Sequence, residues 1–317
     1  MFVDGINEPP EHIKTLYNNK KIVPNNDLIK KAKEYINKVK SENALYDGAL
    51  EASVQSSESL TKTRMLDYLN KIRKLPNFII ASSKRYKDDP QQQNPLASLY
   101  YNYFFKKINN KKTLLLLKKH FVNQEFLDKN KYIFYPLHVE PELVLAQFAR
   151  PYLNQIEVIR NIRYSTPLTK TILVKDHPLM FGKRPMSYYK KILQIPNVRL
   201  INPTIPSEKI LNNCELLVII RGAMGLEASI KEIPVVCLGK TMFELLPRSM
   251  YRFCNSLYKL KDEISDLLIN YKFDEEALVR YLSFVIEGSS PVNLITDLLN
   301  KKGRYREKAD NYLFEEH

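Results

Sequence analysis

The chain has 317 residues, 44% of them hydrophobic, and a formal net charge of +14. That length and apolar content support one large domain or two moderate ones, and exclude global disorder because charge is interspersed with Ile, Leu, Tyr and Phe. Eight glycines and three widely spaced cysteines, Cys214, Cys237 and Cys254, exclude glycine-rich nucleotide loops, a disulfide framework and a CxxC zinc site.

No secretory leader pattern opens the sequence, and no apolar run approaches the about 18 residues a membrane span needs. A cytoplasmic protein with reduced thiols is expected. The basic excess is uneven: residues 1–130 hold 23 Lys and Arg against 14 Asp and Glu, net +9, which leaves +5 for the rest. Such a surface favours phosphate-rich partners, whether nucleic acid, anionic lipid headgroups or acidic polysaccharide. Lysines flanked by Asn and Ile are equally what an A+T-rich genome encodes. No nucleic-acid recognition motif is present, so no nucleic-acid partner is expected.

In chain order, "MFVDGINEPPEHIKTL" reads as the tail of a strand leading into a turn and helix, as though something usually precedes it. "NNDLIKKAKEYINKVKSENALYDGALEA" carries Leu28, Ile29, Ala32, Ile36 and Val39 at helical spacing, with Asn26 or Asp27 as the cap. "SESLTKTRMLDYLNKIRKL" repeats the pattern. "PNFIIASS" reads as the one strand of this region, and "PLASLYYNYFFKKINNKKTLLLLKK" as a long aromatic-rich helix. Its Tyr–Phe face suits buried packing, with docking of a lipid or partner as the alternative.

From Lys131 the texture changes. Short β-branched runs ("KYIFYPL", "KTILVK", "NVRLIN", "ELLVII", "PVVCLG") alternate with amphipathic helices around "PELVLAQFARPYLNQIEVIRNI", "SYYKKILQI", "PSEKILNN" and "MGLEASIKE". Strands with almost no polar residues, alternating with helices, predict an α/β fold with a Rossmann-like parallel sheet covered on both faces. From about residue 259 the pattern is helical again. The expected organisation is a mostly helical basic region (1–130), a Rossmann-like unit (131–258) and C-terminal helices packing back on it (259–317). There is no internal repeat.

Ligands of doubly wound sheets bind beyond the carboxyl ends of the strands. At those ends stand His138, Glu140 and Glu142; Lys175, Asp176, His177 and Pro178; Asn202; Arg221, Gly222, Gly225 and Glu227; and Gly239 with Lys240. Singly, each has a structural explanation. Glu140 and Glu142 suit a helix start, Lys175 suits a solvated surface, and Arg221–Gly222 suits a plain turn. Together they concentrate cations, imidazoles and carboxylates on one edge.

The stretches "FYPLHVEPE", "NQIEVIRNI", "ILVKDHPLMFGKRPMSYYKKILQIPNVRLINPTIPS" and "GAMGLEASIKEIPVVCLGKTMF" resemble the capsular polysaccharide biosynthesis family, which includes Kdo-transferase-like glycosyltransferases of the GT-B type. The resemblance covers roughly residues 130–250. It implies the C-terminal, donor-binding half of a two-domain transferase working on a nucleotide-activated sugar, CMP-activated by preference; no D-x-D-type acidic pair stands at a strand end of the α/β part, which favours metal independence, and no cofactor is expected. It further implies that His177 hydrogen-bonds or protonates the leaving phosphate, that Lys175 neutralises it, and that Pro178 fixes the backbone between them. The turn from Gly222 to Gly225 would offer N–H groups, Arg221 and His138 would contact the nucleotide, and Glu227 would accept from ribose hydroxyls.

Two departures accompany it. Ala223 stands where the family has a Ser or Thr hydroxyl, and Arg221 where a small polar residue is usual. The acceptor-side half is short of strands, so it reads as truncated or degenerate, leaving Glu140 and Glu142 as in-chain candidates for the general base. The implied acceptor is lipid-linked or an oligosaccharide, with a peripheral position at the inner membrane face and other capsule assembly proteins as partners. A polyol-phosphate transferase of the teichoic-acid type and a non-catalytic nucleotide- or polysaccharide-binding subunit are the alternatives.

Overall fold

The computed structural model describes residues 9–42, 106–140, 149–178 and 180–288, with the single positions Pro76, Ile79, Ile80, Ser83, Asn94 and Leu145. Its centre is a six-stranded parallel sheet: β1 (Tyr132–Pro136), β2 (Ile172–Lys175), β3 (Val198–Ile201), β4 (Cys214–Ile219), β5 (Val235–Cys237) and β6 (Tyr251–Phe253). The spatial order is β3-β2-β1-β4-β5-β6, the arrangement of dinucleotide-binding folds, in which the strand order reverses beside β1.

Alternation along each strand assigns side chains to two layers. Phe134, Leu173, Ile201, Leu217, Ile219, Val235 and Tyr251 enter one apolar cluster; Ile133, Tyr135, Val174, Leu200, Val218 and Val236 enter the other. The second layer is closed by helices of the strand connections and the tail: α5 (Gln155–Ser165), α6 (Met186–Leu193) and α9 (Leu260–Asn270). The first is closed by α7 (Ser207–Leu211) and α8 (Met224–Ile230), together with α2 (Asn26–Glu42) and α10 (Glu275–Glu287) from distant parts of the chain. Two further helices, α3 (Lys106–Leu117) and α4 (Gln124–Lys129), lead into β1.

The helix predicted over Leu28–Val39 is α2, with Ala32, Ile36 and Val39 buried. Its cap lies one residue earlier than expected: the Asn25 side chain accepts from the Asp27 N–H at 3.1 Å, the usual N-terminal device. Asp274 caps α10 in the same way, accepting from the Ala277 N–H at 2.9 Å. Residues 9–42 thus contribute directly to covering the sheet.

Three expectations need revision or lie elsewhere. The strand expected at "PNFIIASS" is helical at Pro76, Ile79, Ile80 and Ser83, and Ile80 is 68% exposed. An apolar run this short satisfies both periodicities, and Pro at its head suits a first helical turn. The sixth strand, β6, was not foreseen, since three residues with a central Arg252 leave no pattern to read. The opening residues 1–8, most of the stretch 43–105 and the tail from residue 289, where a further helix is expected, fall outside the described residues. The cysteines are free and buried, as expected. Among the described residues no helix is long and apolar enough to cross a membrane.

α1 (Glu11–Asn18) is fastened by one side chain of α10. The Arg280 guanidinium donates to the carbonyls of Leu16 (2.9 Å), Tyr17 (3.0 Å), Asn19 (2.9 Å) and Ile22 (2.7 Å), while stacking near Tyr17 and Phe284. These carbonyls include the unsatisfied acceptors of a helix C-terminus. Arg280→Met is expected to lower the unfolding free energy by about 2 kcal/mol, read as a lower urea midpoint, with Arg280→Lys recovering only part because an ammonium cannot span four carbonyls.

Candidate functional site

The reversal of strand order opens the sheet at its carboxyl edge. Pairing between β1 and β4 ends at Phe134 and Leu217, although each strand runs two residues further. Beyond that point β1 pairs only with β2, through Tyr135 and Pro136, and β4 only with β5, through Val218 and Ile219. The Ile133 and Leu137 N–H groups donate toward β2, to Thr171 and Lys175 carbonyls, so alternate residues of β1 turn their N–H toward β4. Pro136 occupies such a position and has no N–H to give. One lip of the resulting crevice carries His138 and Glu140, the other Arg221 to Ala223.

A buried polar network holds the first lip. Arg184, its side chain 3% exposed, donates Nε to Asp176 Oδ1 at 3.2 Å, Nη1 to Glu140 and Nη2 to the His138 carbonyl at 2.5 Å. Gln155, the fully buried first residue of α5, accepts the His138 N–H at 2.8 Å and donates to Glu140. Asp176 also accepts from Tyr189 Oη at 2.6 Å and from the His177 N–H at 2.8 Å. Burial pushes the Asp176 carboxyl above its ordinary range, against the pull of Arg184, Tyr189 and the His177 N–H. The loops after β1 and β2 are therefore one unit, and both oxygens of Glu140 are engaged in it.

Lys175, Asp176 and His177 leave β2 together. The His177 carbonyl accepts from the N–H groups of Met180 (2.8 Å) and Phe181 (3.1 Å), which folds Pro178 into a tight turn. Lys175 shares the face of Leu173 and is buried, with Nζ donating to Ser207 Oγ at 2.9 Å. Burial lowers its pKa from 10.5 to about 8, although Glu208 and Glu227 oppose the shift. Glu227 is lifted from 4.5 to about 6, chiefly by burial; Glu208 adds to the rise, while Lys231, 3.6 Å away, and Lys175 oppose it.

On the second lip Arg221 is buried, and Gly222 has φ +121°, a conformation that side chains other than glycine rarely adopt. A Cβ there would meet only Ile219 Cδ1 at 3.8 Å, so the turn presents its backbone to open space. The N–H groups of Gly222, Ala223 and Met224 have no protein partner among the described residues. Gly225 has a different use: a Cβ would lie 2.8 Å from the Phe243 ring, and its N–H already donates to the Gly222 carbonyl.

The structure thus brings His138, Glu140, Lys175, His177 and Pro178 onto joined loops beside β1 and β2, with Arg221 and Gly222 across the crevice. Glu227 lies beneath, in the electrostatic neighbourhood of Lys175. Glu142 falls outside the described residues. Sequence reasoning did not single out Gln155, Arg184, Tyr189 or Ser207; only the cations after Gly182 hinted at Arg184.

The profile of the family described as capsule polysaccharide biosynthesis protein matches residues 10–247. The chain belongs to this family. No curated protein matches the sequence. Among solved structures, this family member is similar to a UDP-GlcNAc 2-epimerase from Methanocaldococcus jannaschii in complex with UDP-GlcNAc and UDP, at 16% identity over 58% of this chain and 51% of that one, TM-score 0.34. It is also similar to KpsC, a beta Kdo 2,7 transferase from Thermosulfurimonas dismutans, at 18% identity over 62% and 68% of the two chains, TM-score 0.30. A third is the wall teichoic acid polymerase TagF, at 14% identity over 59% and 45%, TM-score 0.32. The capsule-family chain spans about half the length of the epimerase.

Two outcomes check the electrostatics. Arg184→Leu strands the buried Asp176 carboxylate and the half-buried Glu140 carboxylate, and the expected loss in urea unfolding is about 3 kcal/mol. Glu227 binds its proton more tightly folded than unfolded, so stability falls as pH rises from 4.5 to about 6. Glu227→Gln is expected to abolish that fall, a difference of about 2 kcal/mol at pH 7.

Proposed function

We propose that this chain is the donor-nucleotide portion of a metal-independent sugar transferase of capsule assembly. The donor is a nucleotide-activated sugar, a CMP-activated acidic sugar of the Kdo kind being the first choice. The acceptor is a lipid-linked saccharide or growing polysaccharide. The observation that carries this reading is the parting of the strands at the reversal, with cations on both lips and the half-buried Gly222 turn, in a chain of the capsule polysaccharide family.

The chemistry is a direct displacement. The acceptor oxygen forms a bond to the anomeric carbon as the bond from that carbon to the phosphate oxygen breaks. The acceptor proton passes to a base, and the nucleotide leaves with the electron pair. His177 donates a hydrogen bond or its proton to the departing phosphate. Lys175 and Arg221 offset the developing negative charge at short range in a low-dielectric crevice. The N–H groups of the Gly222 turn suit phosphate oxygens, and Glu227 is the acceptor assigned to the ribose hydroxyls.

A second reading is favoured by Glu140, whose two oxygens are held by Gln155 and Arg184 rather than directed at an acceptor. On that reading the chain binds nucleotide without turnover, as one subunit of an assembly complex. Calorimetric titration with CMP, CDP and UDP tests both readings. Saturable CMP binding that weakens at least tenfold in His177→Ala, about 1.4 kcal/mol, is the expected result. Absence of binding to all three overturns both; binding with no sugar transfer in the complete system selects the second.

A further inference from the structure

We infer that the exposed face of α3 docks on an anionic lipid bilayer. This deepens the acceptor side of the reading above and rests on it only for the acceptor's being lipid-linked. The docking itself follows from the surface of α3.

The helix is of mixed polarity: Leu114 and Leu117 pack on the sheet layer, yet apolar side chains also stand on its outward face. The residues it turns into the protein include Asn110 and Thr113, both buried, beside Leu117. The residues it turns outward include Ile108, 65% exposed, Leu115, 75% exposed, and Leu116, together with exposed Lys111 and Lys112; exposed Lys118 and Lys119 stand in the turn that follows it. At 100° per residue, Ile108, Lys111, Lys112 and Leu115 form one continuous stripe. A helix settled in water would bury leucine and expose asparagine. Here the outward stripe interleaves branched apolar side chains with long cations.

The charge is of one sign. From residue 90 to residue 124 the sequence carries six lysines and no aspartate or glutamate. In a chain that elsewhere intersperses both signs, that gap removes any repulsion from a negative surface. Lysines attract anionic headgroups while their methylene stems lie along apolar surface, and leucines enter the headgroup boundary beside them. A protein partner of matching acidity would answer the cations but gives no reason for exposed Ile and Leu between them.

The position of α3 fits an acceptor held in the membrane. The Asn109 side chain donates to the Gly182 carbonyl. Gly182 has φ +77°, and a Cβ there would run into Asn110. The helix is thus braced on the loop that runs from His177 to Arg184, at the carboxyl edge of the sheet. A bilayer on the outer face of α3 lies beside the crevice, and a lipid-linked saccharide would reach it without leaving the membrane.

Cosedimentation of the full chain with vesicles tests this. The expected result is binding to equal parts of phosphatidylglycerol and phosphatidylcholine, little binding to phosphatidylcholine alone, and loss on adding salt. Joint Lys111→Gln, Lys112→Gln, Lys118→Gln and Lys119→Gln is expected to weaken binding about a hundredfold or more. An environment-sensitive fluorophore on Leu115→Cys, which leaves the lysines intact, should report water in buffer and shift to the blue with anionic vesicles. No binding to anionic vesicles, or binding that the four Lys→Gln changes leave unaltered, overturns the inference. So does a blue-shifted probe before vesicles are added, which would mean another part of the chain covers the face. A dimer that Leu115→Ser with Leu116→Ser dissolves would assign the face to a second copy instead. Vesicle binding needs no nucleotide, so its outcome and that of the CMP titration are independent.

Discussion

A parallel sheet that grows from β1 in two directions cannot keep both neighbours bonded to the end. The chain leaves β1 for β2 and β3, then crosses back to β4 on the other side, and the loops that begin these journeys diverge. Pairing between β1 and β4 stops two residues early, and Pro136 withholds the donor that would have extended it. Everything assigned to the site follows from that parting, because it sets which loops face each other and leaves room beside the Gly222 turn.

Opening a sheet leaves polar groups to be satisfied, and the chain does so asymmetrically. On the β1 side a buried guanidinium and a glutamine amide close on the His138 backbone, and the Glu140 and Asp176 carboxylates hold that guanidinium through charge-assisted bonds. On the β4 side the support is steric: Gly225 lies beneath Phe243, and Gly239 sits against the Ile220 carbonyl with its N–H donating there at 2.7 Å. The β1 lip is held by charge, and the β4 lip by close packing.

The parallel sheet was legible because burial on both faces strips polar residues from a strand, and "ILVK" or "LLVII" has no other plausible home. α2 was legible because one buried face repeats every turn. β6 was not, since its burial comes from neighbours brought by topology and not from its own pattern. The helical positions Pro76, Ile79, Ile80 and Ser83 show the opposite failure, an apolar run too short to fix its own period. In the site, the strand-end positions were readable one by one. Their partnerships were not: Glu140 meets Arg184 from 44 residues away, and nothing local marks Glu140 as a partner of Gln155 instead of a base. Gly225 was read as a backbone donor, whereas the space above it belongs to a ring 18 positions later.

The two layers of the sandwich are also unequal in time. The layer of α5, α6 and α9 is drawn largely from segments adjoining the strands they cover, so it can condense as the chain lengthens. The other layer is finished by the clasp between Arg280 and the end of α1, a closure across 263 residues. Loop closure of that span is entropically slow and has no counterpart until α10 exists. A chain emerging from the ribosome therefore carries Leu173, Leu217 and Ile219 incompletely covered until Glu275–Glu287 has been made. The face that Arg280 finally fastens is thus the one left open to chaperones, or to a second nascent chain, while the protein is being made.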